Sequence, residues 1–517
     1  MSVMHTDPVL SCEESLEFEK KYFKGDGELE WQSMNKAGQG VGDALLRDMR
    51  ELRTIPHRPR LLVLVGKGHN GGDSIVATKR FLRTIPTARA VILPLETWEK
   101  CRLLTQRAWD ELRELAGKRI EVIDPSSNLL KELEEKVKDR GFDALIDGLL
   151  GMQAQLPLRD PIPAIIKWVN HSEKIAVRAS VDMPTGVTGE GFENPLRADF
   201  TYCTGIVKAP VLDSLHAEFV GRLRYLNLDF FTHDRMQEKK LRVLHPNALR
   251  KLRKLRPVVG DKKSHGHLFL LAGSRELGGA AMMAAEGALK AGAGLLTVGI
   301  PESLHASFVA KLPEAMWVPL PETPDGGLAL EGLGTIRKYL DRATALASGP
   351  GLGANRETHS LVREVCNLFA GPILLDADAI RPEILEKLNQ ITDRLVITPH
   401  PGEFIRLAGK TGPEEWMREN SCTLVLKGAH TEILSPEIHL FCLGGSSILA
   451  RGGSGDLLTG IIGALLAKGT FCACESATLA VQWHGRAAEA LARQHGQESI
   501  RTTEILTYLS FALRNDF

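Results

Sequence analysis

The sequence predicts two α/β domains, each built on a doubly wound parallel sheet with helices on both faces. Three observations carry this. The chain has 517 residues, more than one hydrophobic core usually supports, since cores stop growing beyond about 250–300 residues. Short apolar runs alternate with segments of helical spacing along both halves, as crossover connections require. Glycine, with 49 copies, is concentrated where those runs end, which places backbone-lined turns at strand ends.

In chain order, the apolar runs Leu61 to Val65, Ala90 to Leu93, Ile120 to Ile123, Ala144 to Ile146 and Ile175 to Val181 read as buried parallel strands. Ser74 to Leu82 and Leu103 to Leu115 carry apolar residues at helical spacing and read as the intervening helices. The pattern lapses between about Phe230 and His267. There LRKLRKLRP puts Leu249, Leu252 and Leu255 on one helical face with basic residues on the others, and Pro257 ends it. Three leucines make a weak membrane face, so a solvated surface helix beside a domain boundary is expected, with domains at residues 1–235 and 236–517. Strands resume at His267 to Ala272, Gly294 to Gly299, Ala343 to Ser348, Ile373 to Asp376 and Leu395 to Thr398.

Composition narrows the function. Hydrophobic residues make up 43% and charged residues 25%, ordinary for a globular protein and too apolar for disorder. With 64 basic and 64 acidic residues the formal charge is zero, so no long-range field collects nucleic acid or an anionic membrane. Small-molecule partners and an oligomer of identical chains are expected. Eight cysteines are sparse, and Cys472 with Cys474 fits no common zinc or redox spacing, so reduced thiols in a cytoplasmic protein are expected. The N-terminal MSVMHTDPVLSCEESLEFEK carries early acids and no apolar core, unlike a secretory signal, and no stretch approaches the roughly 18 apolar residues of a membrane span.

The first glycine loop runs Gly66-Lys67-Gly68-His69-Asn70-Gly71-Gly72-Asp73 between a strand and a helix. Glycines let the backbone approach a ligand, and free amides at a helix start face anions. The loop satisfies G-x-G-x-x-G, and Glu96 follows the next strand where a dinucleotide-binding fold holds a ribose hydroxyl. A nicotinamide-dependent dehydrogenase is therefore one reading, and a bare tight turn another. Asn70 and Asp73 in the loop, Asp147 in DGLLG, and Asp182 with Thr185 in VDMPTG all belong to strand ends. In a parallel sheet these share one edge, a set suited to a cation and a base. Singly, each aspartate reads equally well as a helix cap. Together with TYCTGIVKAPVL, these motifs resemble the NAD(P)HX epimerase domain over most of residues 1–230. The resemblance implies potassium held by Asn70, Asp147 and Thr185, with Asp182 contacting the hydrated nicotinamide as acid or base. It also implies a substrate wall from His69, Asn70, Gly71, Gly72 and Asp73 and from Gly151, Met152, Gln153, Ala154, Gln155, Leu156 and Pro157. His69, Ser74, Met152 and Gln153 depart from the family pattern, N-N-G-G-D-G in the first loop and G-T-G in the second. Met152 and Gln153 add bulk that is expected to narrow the pocket, and a half that binds without catalysing is the second reading.

The second half begins with HLFLLAGSRELGGAAMMAAEGALKAGAGLLTVG, a strand, a glycine-rich turn and a small-residue helix. SGPGLG at 348–353, LLDADAI at 374–380, TPHPGE at 398–403, LKGAHT at 426–431 and ARGGSGDLLTG at 450–460 follow. Each is placed after an apolar strand, so the motifs gather at the sheet's carboxyl edge. Gly452, Gly453, Ser454 and Gly455 lead into a helix. Their amides make a hole for charge on a transferring phosphoryl group, and Asp456 stands where it can take a proton from an attacking hydroxyl. A helix cap is the plainer role for Asp456. Asp376 and Asp378 suit water or metal near the phosphates, or simple strand termination.

These motifs resemble the ribokinase superfamily, and their order over about residues 241–517 is similar to the nucleotide-dependent NAD(P)HX dehydratase. The resemblance implies a ribokinase-like sheet behind the Rossmann-like N-terminal one. ADP or ATP with magnesium would be lined by Lys427, Gly428, Ala429, His430, Thr431, Gly444 and the 452–455 run. The hydrate would be contacted by Gly351 and by His400, Pro401, Gly402, Glu403, Phe404, Ile405 and Arg406. Asp456 would activate the hydroxyl of hydrated NADH or NADPH. Arg451 replaces the family's small threonine and is expected to point to solvent, and KKSHGH departs from the family's entry at Asp261 and Lys263. Because GGSGD serves phosphoryl transfer generally, a small-alcohol or hydroxymethylpyrimidine kinase is the remaining alternative.

Overall fold

A computed structural model describes residues 4–232, 236, 238–256, 258–260, 262–386, 388 and 394–515. Arg235, Pro257 and Asp261, at which the sequence places the domain boundary, the connector's stop and one family departure, lie outside the described residues. The chain folds as two compact units, residues 7–239 with 493–496, and residues 1–6, 240–492 and 497–517.

In the first unit the sheet runs Arg222–Leu226, Phe200–Thr204, Arg178–Val181, Ala144–Gly148, Arg60–Val65, Arg89–Pro94 and Ile120–Val122, every neighbouring pair parallel. Alternation along a strand sends its side chains to opposite faces. Leu61, Val63 and Val65 pack with the helices Gly27–Asp48, His69–Thr84 and Leu103–Ala116, whereas Leu62 and Leu64 pack with Leu129–Val137 and Ile162–His171. Burial on both faces is why these strands read as unbroken apolar runs. The strand expected from 175 starts at Arg178, since Ile175 forms only a bridge with Phe142. The helix expected from 74 starts at His69, so half of the glycine loop is its first turn.

The second unit carries the order Leu241–Leu244, His439–Cys442, Thr431–Leu434, Thr423–Leu426, Leu395–Ile397, Ile373–Leu375, Ala345–Ser348, His267–Leu271, Leu295–Pro301 and Met316–Leu320. Pairing is parallel except where Thr423–Leu426, Thr431–Leu434 and His439–Cys442 form an antiparallel meander. Leu268 and Leu270 pack with the helices Gly278–Lys290, Ser454–Lys468 and Ala473–His495, while Phe269 and Leu271 face Leu333–Leu340 and Arg356–Leu368.

The connector corrects an expectation. Ala248–Leu252 is one short 3-10 turn, with Leu249 buried, Leu252 packed partly on the core and Leu255 99% exposed. Three leucines in register cannot sustain a helix when the nucleation cost exceeds what so short a run returns. Among the described residues no helix is long and apolar enough to cross a membrane.

Candidate functional site

In a doubly wound sheet a crevice opens where successive crossovers turn to opposite sides, at the strands' carboxyl ends. In the first unit that point lies between Arg60–Val65 and Ala144–Gly148. A Cβ on Gly71 would sit 2.0 Å from the Gly66 carbonyl oxygen, so only glycine lets the first helical turn lie against the strand end.

Three of the expected residues meet beside it. Asp147 is buried, and it accepts from the Thr185 hydroxyl at 2.7 Å, the Thr185 amide at 2.9 Å, the Ser180 hydroxyl at 3.0 Å and the Leu149 amide at 3.2 Å. Burial raises its pKa and those donors only partly offset the rise. Leu150 joins this pair to Asn70, its amide donating to Thr185 Oγ1 at 3.3 Å and its carbonyl accepting from Asn70 Nδ2 at 3.2 Å. Asn70 Nδ2 also donates to the Val181 carbonyl at 2.9 Å. The side chains of Asp147, Thr185 and Asn70 thus bring a carboxylate, a hydroxyl and an amide together, oxygen groups that suit a hard cation rather than a transition metal. Among the described residues no group of three or more His, Cys, Asp or Glu could hold a metal ion.

Next to this set opens a pocket of about 620 Å³, its mouth included, lined by Glu19, Met34, His69, Asn70, Asp73, Met152, Asp182, Thr204 and Lys208 among others. Asp182 sits at φ +69°, and its Oδ1 accepts from Lys208 Nζ at 2.6 Å. Burial opposes the Lys208 charge, but Asp182 and Glu19 outweigh it and raise the ammonium's pKa. Asp73 is buried with Oδ1 unpartnered, and burial followed by Asp182 pushes it well above the usual carboxylate range. His69 is pushed down to about 4 by burial and by Arg102, whose Nη1 lies 3.2 Å from its Nε2.

The added bulk is divided between the pocket and its surroundings. Met152 forms part of its wall, Gln153 accepts from Arg102 at 3.4 Å, and the buried Ser74 hydroxyl donates to the Gly71 carbonyl at 2.8 Å. Of the loop 151–157 only Met152 lines this pocket; Gly151, Ala154, Gln155, Leu156 and Pro157 do not. Likewise His69, Asn70 and Asp73 line it, whereas Gly71 and Gly72 pack behind. Glu96 lies beside Lys100 at 3.3 Å and is not among the residues lining this pocket.

In the second unit the helix Ser454–Lys468 starts beside Gly453, which holds φ +88° as its cap. The Ser454 amide already donates to the Arg451 carbonyl at 3.3 Å. Asp456 stands in the first turn, and its side chain has no hydrogen bond among the described residues. Burial first, then Asp376 and Asp378, push its pKa up to about 6 against the pull of Lys427. Asp376 is buried and accepts from Thr459 at 2.6 Å and from Thr398 and Lys427 at 2.7 Å each. Burial alone would raise it, but Lys427 and these hydrogen bonds hold it below the usual range. A Cβ at Gly455 would come 3.5 Å from Lys427 Nζ, so this pair underlies the glycine run. Asp378 accepts from the Gly353 amide at 2.9 Å, tying two strand-end loops, and Gly351 between them is at φ +64°.

Gly428, Ala429 and His430 form the turn before Thr431. Gly444 follows the strand His439–Cys442, and the adjoining Gly445 amide donates to Glu489 at 2.8 Å. His400 caps Pro401–Ala408, accepting from Gly402 at 3.0 Å and Glu403 at 3.3 Å. Ile405 and Arg406 are exposed, but Phe404 is turned into the core against Trp416, leaving only its backbone for a ligand. Arg451 corrects its expectation. Its guanidinium donates to the carbonyls of Gln497 at 2.6 Å, Ile500 at 2.9 Å and Glu498 at 3.1 Å instead of pointing to solvent.

Motif spacing missed Lys208, Glu19 and Thr459. Lys208 had one signal, a lysine enclosed by apolar residues in GIVKAPV, where an unpaired ammonium would be costly. Glu19 and Thr459 lie on helices whose pattern does not mark them.

Comparisons with known proteins follow the same division. Residues 268–510 match the family described as NAD(P)H-hydrate dehydratase, and residues 31–209 match the YjeF-related protein N-terminus. The chain is 35% identical over 487 residues to the bifunctional NAD(P)H-hydrate repair enzyme Nnr of Gloeobacter violaceus, covering 89% of each chain. It is 31% identical over 500 residues to the protein of that name from Moorella thermoacetica, covering 93% of this chain and 92% of the other. Among solved structures, the ADP/ATP-dependent NAD(P)H-hydrate dehydratase from Bacillus subtilis, co-crystallised with ATP and Mg2+, is 29% identical at a TM-score of 0.42, covering 52% of this chain and 96% of its own.

Proposed function

Because the chain belongs to the family of bifunctional NAD(P)H-hydrate repair enzymes, we propose that its second unit dehydrates (S)-NAD(P)HX at the expense of ADP or ATP, while its first interconverts the R and S hydrates. The observation that carries the dehydratase assignment is the unpaired Asp456 carboxyl, pushed up to about 6, in the first turn of a glycine-capped helix and above the Asp376–Lys427 pair.

Hydration of the enamine in a reduced nicotinamide puts a hydroxyl on the carbon bonded to the ring nitrogen. Asp456 takes the proton of that hydroxyl as its oxygen attacks the terminal phosphoryl group, and the bridging P–O bond breaks to release AMP from ADP or ADP from ATP. Amides at the helix start face the phosphoryl oxygens, and Lys427 keeps a positive charge below them. The C–O bond then breaks as phosphate leaves with its electron pair, and loss of a proton from the neighbouring carbon restores the double bond. Magnesium, when bound, would neutralise charge on the nucleotide phosphates, with Asp456 and Asp378 the nearby carboxyls. Residues 428–431, 444 and 452–455 would line the nucleotide, and Gly351 with 400–406 the hydrate.

In the first unit Asp182 would act as acid or base on the hydrate, inside the pocket bounded by His69, Asn70, Asp73 and Met152. Asn70, Asp147 and Thr185 would hold a potassium ion, supplying fixed positive charge beside it.

Purified protein given (S)-NAD(P)HX with ADP or ATP regains the absorbance of the reduced nicotinamide and releases inorganic phosphate. A stable phosphorylated product without that absorbance would mark a small-molecule kinase instead. Without nucleotide the R/S ratio relaxes faster than its uncatalysed drift, and drift alone would leave the first unit a binding module.

A further inference from the structure

We propose that Glu19 is a further catalytic group of the N-terminal pocket, moving a proton on the hydrate's hydroxyl alongside Asp182 and Lys208. This rests on the epimerase reading of that pocket. The strand Thr6–Leu10 pairs in parallel with Val207–Lys208, Leu10 lying opposite Lys208. Ser11 then starts the helix Cys12–Phe23 with a reciprocal cap, its hydroxyl accepting from Glu14 and its amide donating back to the Glu14 carboxylate, each at 3.0 Å. This local geometry fixes Glu19 in the pocket wall with Asp73, Asp182 and Lys208.

Among the described residues, Asp73, which burial pushes well above the usual carboxylate range, and Glu19 both lack a cationic partner there. Asp182 is held by Lys208 at 2.6 Å, whereas the Glu19 side chain has no hydrogen bond or ion pair among the described residues. The groups acting on it are Lys208 and Arg102, which favour its ionised form, and Asp182, Asp73 and Glu30, which oppose it. Burial is the largest influence, and the outcome is a carboxyl at about 7, able both to give and to take a proton at neutral pH.

Inversion at the hydroxyl-bearing carbon needs both. A proton from Glu19 goes to the leaving hydroxyl, the C–O bond breaks, water departs, and the ring-nitrogen lone pair forms a C=N bond. Water then adds to the other face, and its surplus proton passes through Asp182 and Lys208 back to the Glu19 carboxylate. One water leaves and one enters, the proton is returned, and nothing is oxidised or reduced. Leaving and entering oxygens lie on opposite faces of the ring, which is why groups from two elements are required.

The test follows the R/S ratio with the full chain, without nucleotide, from pH 5.5 to 8.5. Wild type shows a rate change centred near pH 7. Glu19→Gln, isosteric and matched to wild type in circular dichroism and unfolding midpoint, loses about 100-fold or more and loses that pH dependence. Glu19→Asp keeps the dependence at a reduced rate, and Glu17→Gln, on the exposed side of the same helix, matches wild type. A Glu19→Gln protein with the wild-type rate and profile overturns the role of Glu19 and leaves the epimerase reading standing. A wild-type protein that does not accelerate epimerisation overturns both.

Discussion

Replacing Asp456 with asparagine should abolish nucleotide-dependent dehydration while making the second unit more stable at neutral pH. The two effects share one cause. Burial and the neighbouring carboxylates Asp376 and Asp378 raise this carboxyl from 3.8 to about 6. Its ionised form is therefore disfavoured in the folded protein relative to the unfolded chain. Roughly two pKa units at about 1.4 kcal/mol each correspond to a penalty of up to about 3 kcal/mol. The penalty is absent below pH 3.8, grows as pH rises toward 6 and is complete above it. Asparagine removes it, so the unfolding midpoint of Asp456→Asn should exceed wild type at pH 7.5 and the gain should shrink by pH 4.5. Catalysis depends on the same ionisation. A base with pKa near 6 is about one-eleventh ionised at pH 5 and about ten-elevenths at pH 7, a tenfold ratio of rates. An unperturbed aspartate would give a ratio of about 1.1. Initial phosphate release from saturating substrate at the two pH values reads this ratio, and Asp456→Asn should fall about 100- to 10,000-fold. Equal wild-type rates at pH 5 and 7, or full turnover by the asparagine variant, would refute the assignment.

Lys208→Met leaves Asp182 buried without its counter-ion and should cost about 3–5 kcal/mol in urea unfolding of the first unit. Adding Asp182→Asn should recover much of that loss. Gly71→Ala drives a methyl group into the Gly66 carbonyl. Epimerisation should fall while phosphate release by the second unit is unchanged, as the R/S ratio and a phosphate assay on one preparation can show. Arg451→Ala removes three hydrogen bonds to the 497–500 carbonyls, at roughly 1–3 kcal/mol. Amide exchange in that stretch should accelerate, with the rest of the unit unaffected.

Much of the fold was readable because strands buried on both faces leave unbroken apolar runs such as Leu61 to Val65. The motifs were readable because glycine spacing records a backbone constraint, as at Gly71 and Gly453. What was not readable depends on contacts between distant segments. Two glycines and an asparagine at 70–72 argue against a helix locally, yet packing against the end of Arg60–Val65 starts one at His69. The size of Met152 and Gln153 could be counted, but not the fact that Arg102 draws Gln153 aside. Phe404 and Arg451 show the same gap, since a motif gives a position and not the direction of its side chain.

The charge arrangement of both sites is the deepest example. In each unit an aspartate just beyond a strand end is neutralised by a lysine from another strand end, Asp182 by the buried Lys208 and Asp376 by the half-buried Lys427. In each, an acid without such a partner lies within reach of that pair's charges and is pushed up, in the first unit Glu19 to about 7, with Asp73 raised beside it, and in the second Asp456 to about 6. Sequence spacing identified the aspartates and not this division of labour, because the partner is selected by the sheet's edge rather than by neighbours in the chain. The physical consequence is common to both halves. A paired carboxylate consumes the available positive charge, so the unpaired one is left to titrate near neutrality, where a proton can be exchanged with a hydroxyl at least cost.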